Sequence, residues 1–160
     1  MQKFLPILLG ALLLYSCAAL PPVSIDPDAP TILITGSNRG LGLEFARQYA
    51  GSGWNVIATC RNPAQAAELQ QLADSSPRIH IEKLDVTRDH EVEAIARKYA
   101  GQPIDVLLNN AGIYGDLESQ TLGSFDYEEL KRVLDVNAIG SLRVSIAFLD
   151  HVMASEQKKI

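Results

Sequence analysis

Cysteine is scarce in this chain. Only Cys17 and Cys60 occur in 160 residues, too few for a disulfide framework to staple the fold. Histidine is nearly as rare. His80, His90 and His151 are scattered, without the Cys or carboxylate spacing of a metal site, and each reads as a surface or turn residue. Basic residues are outnumbered, 14 Lys and Arg against 19 Asp and Glu. The resulting net charge of -5 excludes a nucleic-acid partner, which would require a basic patch. No run of like charge marks a polar tail. What remains, 47% hydrophobic and 21% charged, is the composition of one globular domain able to bury a core.

The first 20 residues differ from the rest. Lys3 precedes a charge-free apolar run beginning at Phe4, and the small residues Ser16, Cys17, Ala18 and Ala19 follow. A positive start, a short apolar core and a small-residue exit form the pattern of a secretory signal. Leu14-Tyr15-Ser16-Cys17 further resembles a bacterial lipobox, whose Cys receives lipid, although Tyr15 is larger than that pattern prefers. Lipid on Cys17 would leave no cysteine pair for a disulfide. The alternative is a signal-anchor helix, at the lower limit for spanning and weakened by Pro6 and Gly10. The expectation is membrane association through residues 1–20, with a cytoplasmic location as the alternative. Residues 21–30, with Pro21, Pro22, Pro27 and Pro30, read as an extended linker.

From residue 31 strand and helix signals alternate. Strands are expected at Thr31–Thr35, Asn55–Thr59, Arg78–Leu84 and Ile104–Leu108. Helices are expected at Gly40–Ala50, Pro63–Ala73 and Arg88–Tyr99. Such alternation predicts an α/β domain over 31–160: a Rossmann-type, doubly wound parallel sheet with helices on both faces. One long helix is expected from Tyr127 to Ala154, with a stripe of Leu130, Leu134, Asn137, Ser141, Val144 and Phe148. Ser155 to Lys159 reads as a loop, and Ile160 could open a fifth strand.

Thr35-Gly36-Ser37-Asn38-Arg39-Gly40-Leu41-Gly42 lies between the first strand and the first helix. Gly36 permits a tight turn, Gly40 lets the backbone approach a pyrophosphate, and Gly42 lets the helix pack closely. The helix N-terminus then presents free N–H groups and its positive dipole end to the anion. A Gly-rich turn without ligand is the bland alternative, which the strand–loop–helix context disfavours.

The glycine spacing, three residues then one, resembles the short-chain dehydrogenase/reductase family and not the G-x-G-x-x-G fingerprint. Asn109-Asn110-Ala111-Gly112, after the fourth strand, is similar to a second motif of that family. Asn38-Arg39-Gly40-Leu41-Gly42 with Thr59-Cys60-Arg61-Asn62 is most similar to its sniffer-type carbonyl reductases and C-factor-like proteins. The likeness runs from Thr31 to the C-terminus. It implies that Asn110, Ala111 and Gly112 flank a dinucleotide and that Asn109 ties neighbouring strands together. It also implies that Asp85, with Val86 beside it, meets the adenine; a helix-capping turn is the other reading of Asp85.

The acid that normally takes the ribose 2′-OH of NAD at the end of the second strand is missing. Cys60 holds that position, and Arg61 follows it. Arg39 sits before the second loop glycine. Two guanidiniums and no opposing carboxylate favour a 2′-phosphate, and hence NADP.

The resemblance further implies hydride exchange with a small-molecule carbonyl or alcohol substrate, using Asn, Ser, Tyr and Lys. Asn137 matches the family Asn, whose backbone carbonyl holds a water in the proton relay. Its own chemistry agrees, because Asn on an apolar stripe demands a buried partner or a helix irregularity. Nearby Gly140 is a poor helix residue, costing up to ~1 kcal/mol against Ala. The Ser and Tyr-x-x-x-Lys, which in the family follow the Asn, do not occur. Tyr127 and Lys131 spell the pattern but precede Asn137, and read as neighbours on a helix face. The expectation is the N-terminal portion of an NADP-dependent oxidoreductase, inactive alone. A non-catalytic nucleotide-binding or scaffold module and a non-functional truncation remain as alternatives. An unpaired outer side of the fourth strand is expected, leaving a homo-oligomer open, and Val144 and Phe148 are expected to be exposed.

Overall fold

A computed structural model describes residues 25–160. The signal and lipidation expectations, Cys17 included, lie outside the described residues. Four strands form one parallel sheet: β1 (Thr31–Thr35), β2 (Asn55–Cys60), β3 (Ile79–Lys83) and β4 (Val106–Leu108), in the order β3-β2-β1-β4. Between them run α1 (Gly40–Gly51), α2 (Ala67–Ser75) and α3 (Asp89–Lys98). The central strands β1 and β2 are buried throughout, which is why they read as continuous apolar runs without alternation.

Side chains alternate across the sheet and feed two cores. Ile32, Ile34, Val56, Ala58 and Cys60 pack with Leu43, Ala46 and Leu69 of α1 and α2. Leu33, Ile57 and Leu107 pack on the other face with Val92, Ile95, Val144, Phe148 and Val152. The doubly wound expectation holds. Among the described residues, no helix is long and apolar enough to cross a membrane.

The long helix after β4 is four pieces. α4 (Tyr127–Leu134) passes into a π-helical segment, Asp135–Gly140, then α5 (Ser141–Ala147) and α6 (Leu149–Met153). The π segment shifts the helical phase, so the stripe expected for one straight helix does not stay on one side. Leu134 and Asn137 are exposed, whereas Val144 and Phe148 are fully buried, correcting the expectation that they lie open. Ile139, Leu142 and Ile146, outside the expected stripe, are exposed too. A smaller correction concerns the helix expected from Pro63. Only a 3₁₀ turn forms at Pro63–Gln65, and non-helical Ala66 (φ -94°, ψ 62°) delays α2 to Ala67.

The outer side of β4 is not bare. Lys159 forms a parallel bridge with Val106: its N–H donates to Asp105 O (3.3 Å), and its carbonyl accepts from Leu107 N (2.9 Å). Residues 25–30 are likewise not a free linker. Asn55, 1% exposed, accepts from Asp26 N (3.3 Å) and donates to Asp26 O (2.8 Å) and Ala29 O (2.9 Å). A further bond from Asn55 Nδ2 reaches Thr31 Oγ1 (3.3 Å), so this buried amide fixes the segment against the start of β1.

Candidate functional site

All four strands point their C-terminal ends at one cleft of about 990 Å³, as expected for ligand binding in an open parallel sheet. Its floor is the glycine loop. Gly36 (φ +70°) and Gly40 (φ +57°) are left-handed, a conformation that Cβ-bearing residues adopt only at a cost. A Cβ on Gly36 would lie 2.9 Å from Ala111 Cα, so this loop meets the 109–112 loop backbone to backbone. Gly42 is tighter still: its Cβ would sit 2.3 Å from Gly36 O and 2.5 Å from Asn110 Nδ2. Space is open beside Gly40, which leaves its backbone accessible from the cleft.

Hydrogen bonds join the two loops. Asn110 Nδ2 donates to Thr35 O (2.9 Å) and Gly36 O (3.0 Å), while Thr35 Oγ1 accepts from the N–H groups of Asn110 and Ala111 (both 3.0 Å). The N-cap of α1 is Arg39, which makes no side-chain capping bond. The first-turn N–H groups therefore lack a side-chain cap where the cleft opens, an arrangement suited to an anion.

Gly36, Asn38, Arg39, Gly40, Leu41, Gly42, Arg61, Asp85, Val86, Asn110, Ala111 and Gly112 all line this cleft. Ser37 does not. It is fully buried, its hydroxyl donates to Ile34 O (2.9 Å) and its N–H to Thr59 O (2.9 Å), so both donors hold the loop to the sheet. Arg39 and Arg61 are exposed, and no described carboxylate pairs with either. Cys60 lies between the loop and Arg61, and burial pushes its thiol up.

Asp85 fits both of its readings. It lines the cleft, and its Oδ1 also accepts from Thr87 N (3.0 Å) and Thr87 Oγ1 (2.7 Å), forming the turn into α3. Burial pushes its carboxyl up, but the Thr87 bonds and the nearby Arg61 and Arg88 outweigh this and hold it below its ordinary value.

Asn137 stands in the π segment, the irregularity anticipated for it. Its side chain clamps the loop after β4: Oδ1 accepts from Ile113 N (2.9 Å) and Nδ2 donates to Ile113 O (2.8 Å). Asn137 itself is exposed and behind the lining, whereas Ile113 and Tyr114 form the cleft wall. Gly140 also has a reason to be Gly, since a Cβ there would lie 2.7 Å from Val86 Cγ2. Asn109 departs from what the resemblance implied. Its amide donates to Ser145 Oγ of α5 (2.9 Å), and its buried Oδ1 has no partner among the described residues.

Sequence reasoning missed Arg143. Its Nη1 donates to Val86 O (2.6 Å), Nε bonds Asp89, and Nη2 lies 3.4 Å from Asp135. This half-buried guanidinium ties the loop after β3 to the π segment. An Arg three residues past Gly140 gave no local signal, because its partners are far apart in sequence.

Tyr127 and Lys131 do not enter the cleft. Lys131 pairs with Glu128 (2.7 Å), and Tyr127, 69% exposed, stacks edge-on against Phe125. Tyr127→Phe is therefore expected to leave nucleotide affinity unchanged in a fluorescence titration. A tenfold loss would place Tyr127 in the site. Among the described residues no group of His, Cys, Asp or Glu could hold a metal ion.

Comparison with known proteins agrees with this geometry. Retinol dehydrogenase 5 of Mus musculus is 34% identical over 151 residues, covering 91% of this chain and 46% of that protein. The mitochondrial D-beta-hydroxybutyrate dehydrogenase of Bos taurus is 32% identical, covering 88% and 44%. The chain thus spans about half the length of the curated relatives it matches. Among solved structures, NADPH-bound carbonyl reductase from chicken fatty liver superposes with a TM-score of 0.73 at 32% identity. It covers 81% of this chain and 54% of that one. A Pseudomonas aeruginosa carbonyl reductase in complex with NADP gives 0.72 at 32%, covering 76% and 56%. Residues 30–160 match the family described as short chain dehydrogenase, and with the shared sheet and glycine loop this chain belongs to that family of oxidoreductases.

Proposed function

We propose that the protein is an NADP(H)-dependent oxidoreductase acting on a small-molecule carbonyl or alcohol, and that this chain supplies its nucleotide site. One observation carries the cofactor choice. Arg39 and Arg61 line the same cleft as the glycine loop, and Cys60 stands where an acid would take a ribose hydroxyl. A 2′-phosphate meets two guanidiniums there and no carboxylate at the end of β2, the Asp85 carboxylate at the end of β3 being held by Thr87. The solved neighbours carrying NADPH or NADP support the same choice.

The glycine loop and the first turn of α1 offer backbone N–H groups to the pyrophosphate. Asp85 and Val86 flank the adenine, and Asn110, Ala111 and Gly112 form the opposite wall. When bound, NADPH would supply a hydride to a carbonyl, or NADP would accept one from an alcohol. Asn137 acts through its clamp on Ile113, holding the wall where substrate and nicotinamide would meet. The family likeness gives Asn137 a second role through its backbone carbonyl, which would hold a water and here accepts from Ser141 Oγ (3.4 Å).

Losing one charge-assisted phosphate contact costs about 1.5–3 kcal/mol, or roughly tenfold to a hundredfold in affinity. Arg61→Ala is expected to weaken NADPH binding by that factor and to leave NADH nearly unchanged, measured by calorimetric titration of both nucleotides. Equal losses for the two would show that Arg61 does not meet the 2′-phosphate, and would return the choice to NAD.

A further inference from the structure

The chain enters the domain at a fixed place. Ile25 packs on the core beneath the sheet, and Asp26 and Ala29 are held by the buried Asn55. Arg78 adds an ion pair to Asp26 at 3.0 Å. Asn55 N–H donates to Pro30 O (2.9 Å), and Thr31 N–H donates to Asp105 Oδ2 (2.8 Å). Every one of these partners lies at the N-terminal ends of the strands. The nucleotide cleft opens at their C-terminal ends, so entry point and cleft are at opposite edges of one parallel sheet.

The sequence before this point carries Lys3 and then no charge from Phe4 to Leu20. From Leu20 to the anchored Ile25 is five residues, a reach of at most about 17 Å. Whatever residues 4–20 enter must therefore lie close to the edge where Asn55 sits. The segments 25–30, 51–54, 75–78 and 101–105 at that edge carry none of the large exposed hydrophobic side chains of the domain, and the end of α6, held there by Ile104 N–H to His151 O and Ser155 Oγ to Asp105, adds the exposed Met153. Met153 is a single side chain, so the apolar run is what brings that edge to a surface. The run has the composition that partitions into lipid.

We propose that a lipid surface lies beneath the Asn55 edge of the sheet, with the nucleotide cleft turned away from it towards water. The orientation rests on residues 4–20 engaging lipid, and it follows from the clamp on residues 25–30. It needs no contact between the bilayer and the cofactor walls.

The chain contains one tryptophan, and it is at the edge in question. Trp54 precedes Asn55, is partly buried and stacks edge-on against Tyr49 at 4.9 Å. The full chain would be bound to phosphatidylcholine and phosphatidylglycerol vesicles carrying a dansyl group on a fraction of the headgroups. Trp54 emission is expected to fall steeply by energy transfer to the dansyl groups. In the double variant Trp54→Phe, Tyr114→Trp the only indole moves to the exposed cleft wall, and transfer should be several-fold weaker. Deleting residues 1–20 should abolish vesicle binding and all transfer. Vesicle binding with equal transfer from both positions overturns the orientation alone. Absence of vesicle binding by the full chain overturns the lipid reading on which it rests.

Discussion

Gly42→Ala is expected to destabilise the domain by about 1–3 kcal/mol, the range for forcing an extra methyl into a packed site, and to abolish measurable NADPH binding. The new Cβ would stand 2.3 Å from Gly36 O and 2.5 Å from Asn110 Nδ2, contacts no Cβ tolerates. Neither neighbour yields easily. Asn110 Nδ2 bonds the Thr35 and Gly36 carbonyls, and the Gly36 backbone abuts Ala111. Relief requires α1 to move away from the loop, which takes the first-turn N–H groups away from the position of the pyrophosphate. Gly40→Ala is the control for stability alone. Its methyl meets nothing within 4 Å, so only the left-handed φ of +57° opposes it, at about 1–2 kcal/mol. Urea midpoints of both variants, and NADPH titration of Gly42→Ala against the unsubstituted chain, make the comparison. If Gly42→Ala binds as well as the unsubstituted chain, the two loops are looser than their contacts indicate.

The two glycines also show which parts of the site were legible in the sequence. The spacing of Gly36, Gly40 and Gly42 placed the loop because backbone conformation is written in residue type. The four strands were legible because both faces of the sheet are covered, so Ile32 to Ile34 and Val56 to Ala58 are apolar without interruption. The sequence counts Ser37 among the cofactor-binding residues of the loop, since a serine there can turn outward, whereas here it is buried and bonded to Ile34 O. The Asn55 clamp and the Arg143 tie join segments 29 and 57 residues apart, beyond anything a local pattern encodes. Asn137 lay between these cases. Its poor fit to an apolar stripe signalled an irregular helix, but not the direction in which the irregularity turns the residues after it.

That direction decides the second large effect. Phe148→Ala is expected to cost about 3–5 kcal/mol, the range for truncating a buried aromatic. Phe148 is fully buried in the core with Leu33, Ile57, Leu107, Val92 and Val144, and its ring lies 5.1 Å from that of His151. His151 in turn bonds Ala96 O (3.1 Å), so the core beneath α3 collapses only by breaking a second contact. Ile146→Ala, two residues away and 66% exposed, should change stability by no more than about 0.5 kcal/mol. A straight helix from Tyr127 would have carried a single phase through to this region. The π segment resets it, putting Val144, Phe148 and Val152 inward together. Denaturant unfolding of both variants, followed by circular dichroism, distinguishes the alternatives. A costly Ile146→Ala beside a mild Phe148→Ala would mean that α5 presents its other face to the sheet. Arg143, three residues before Ile146, could not then reach Val86 O, and the tie between the end of β3 and Asp135 of the π segment would be lost with it.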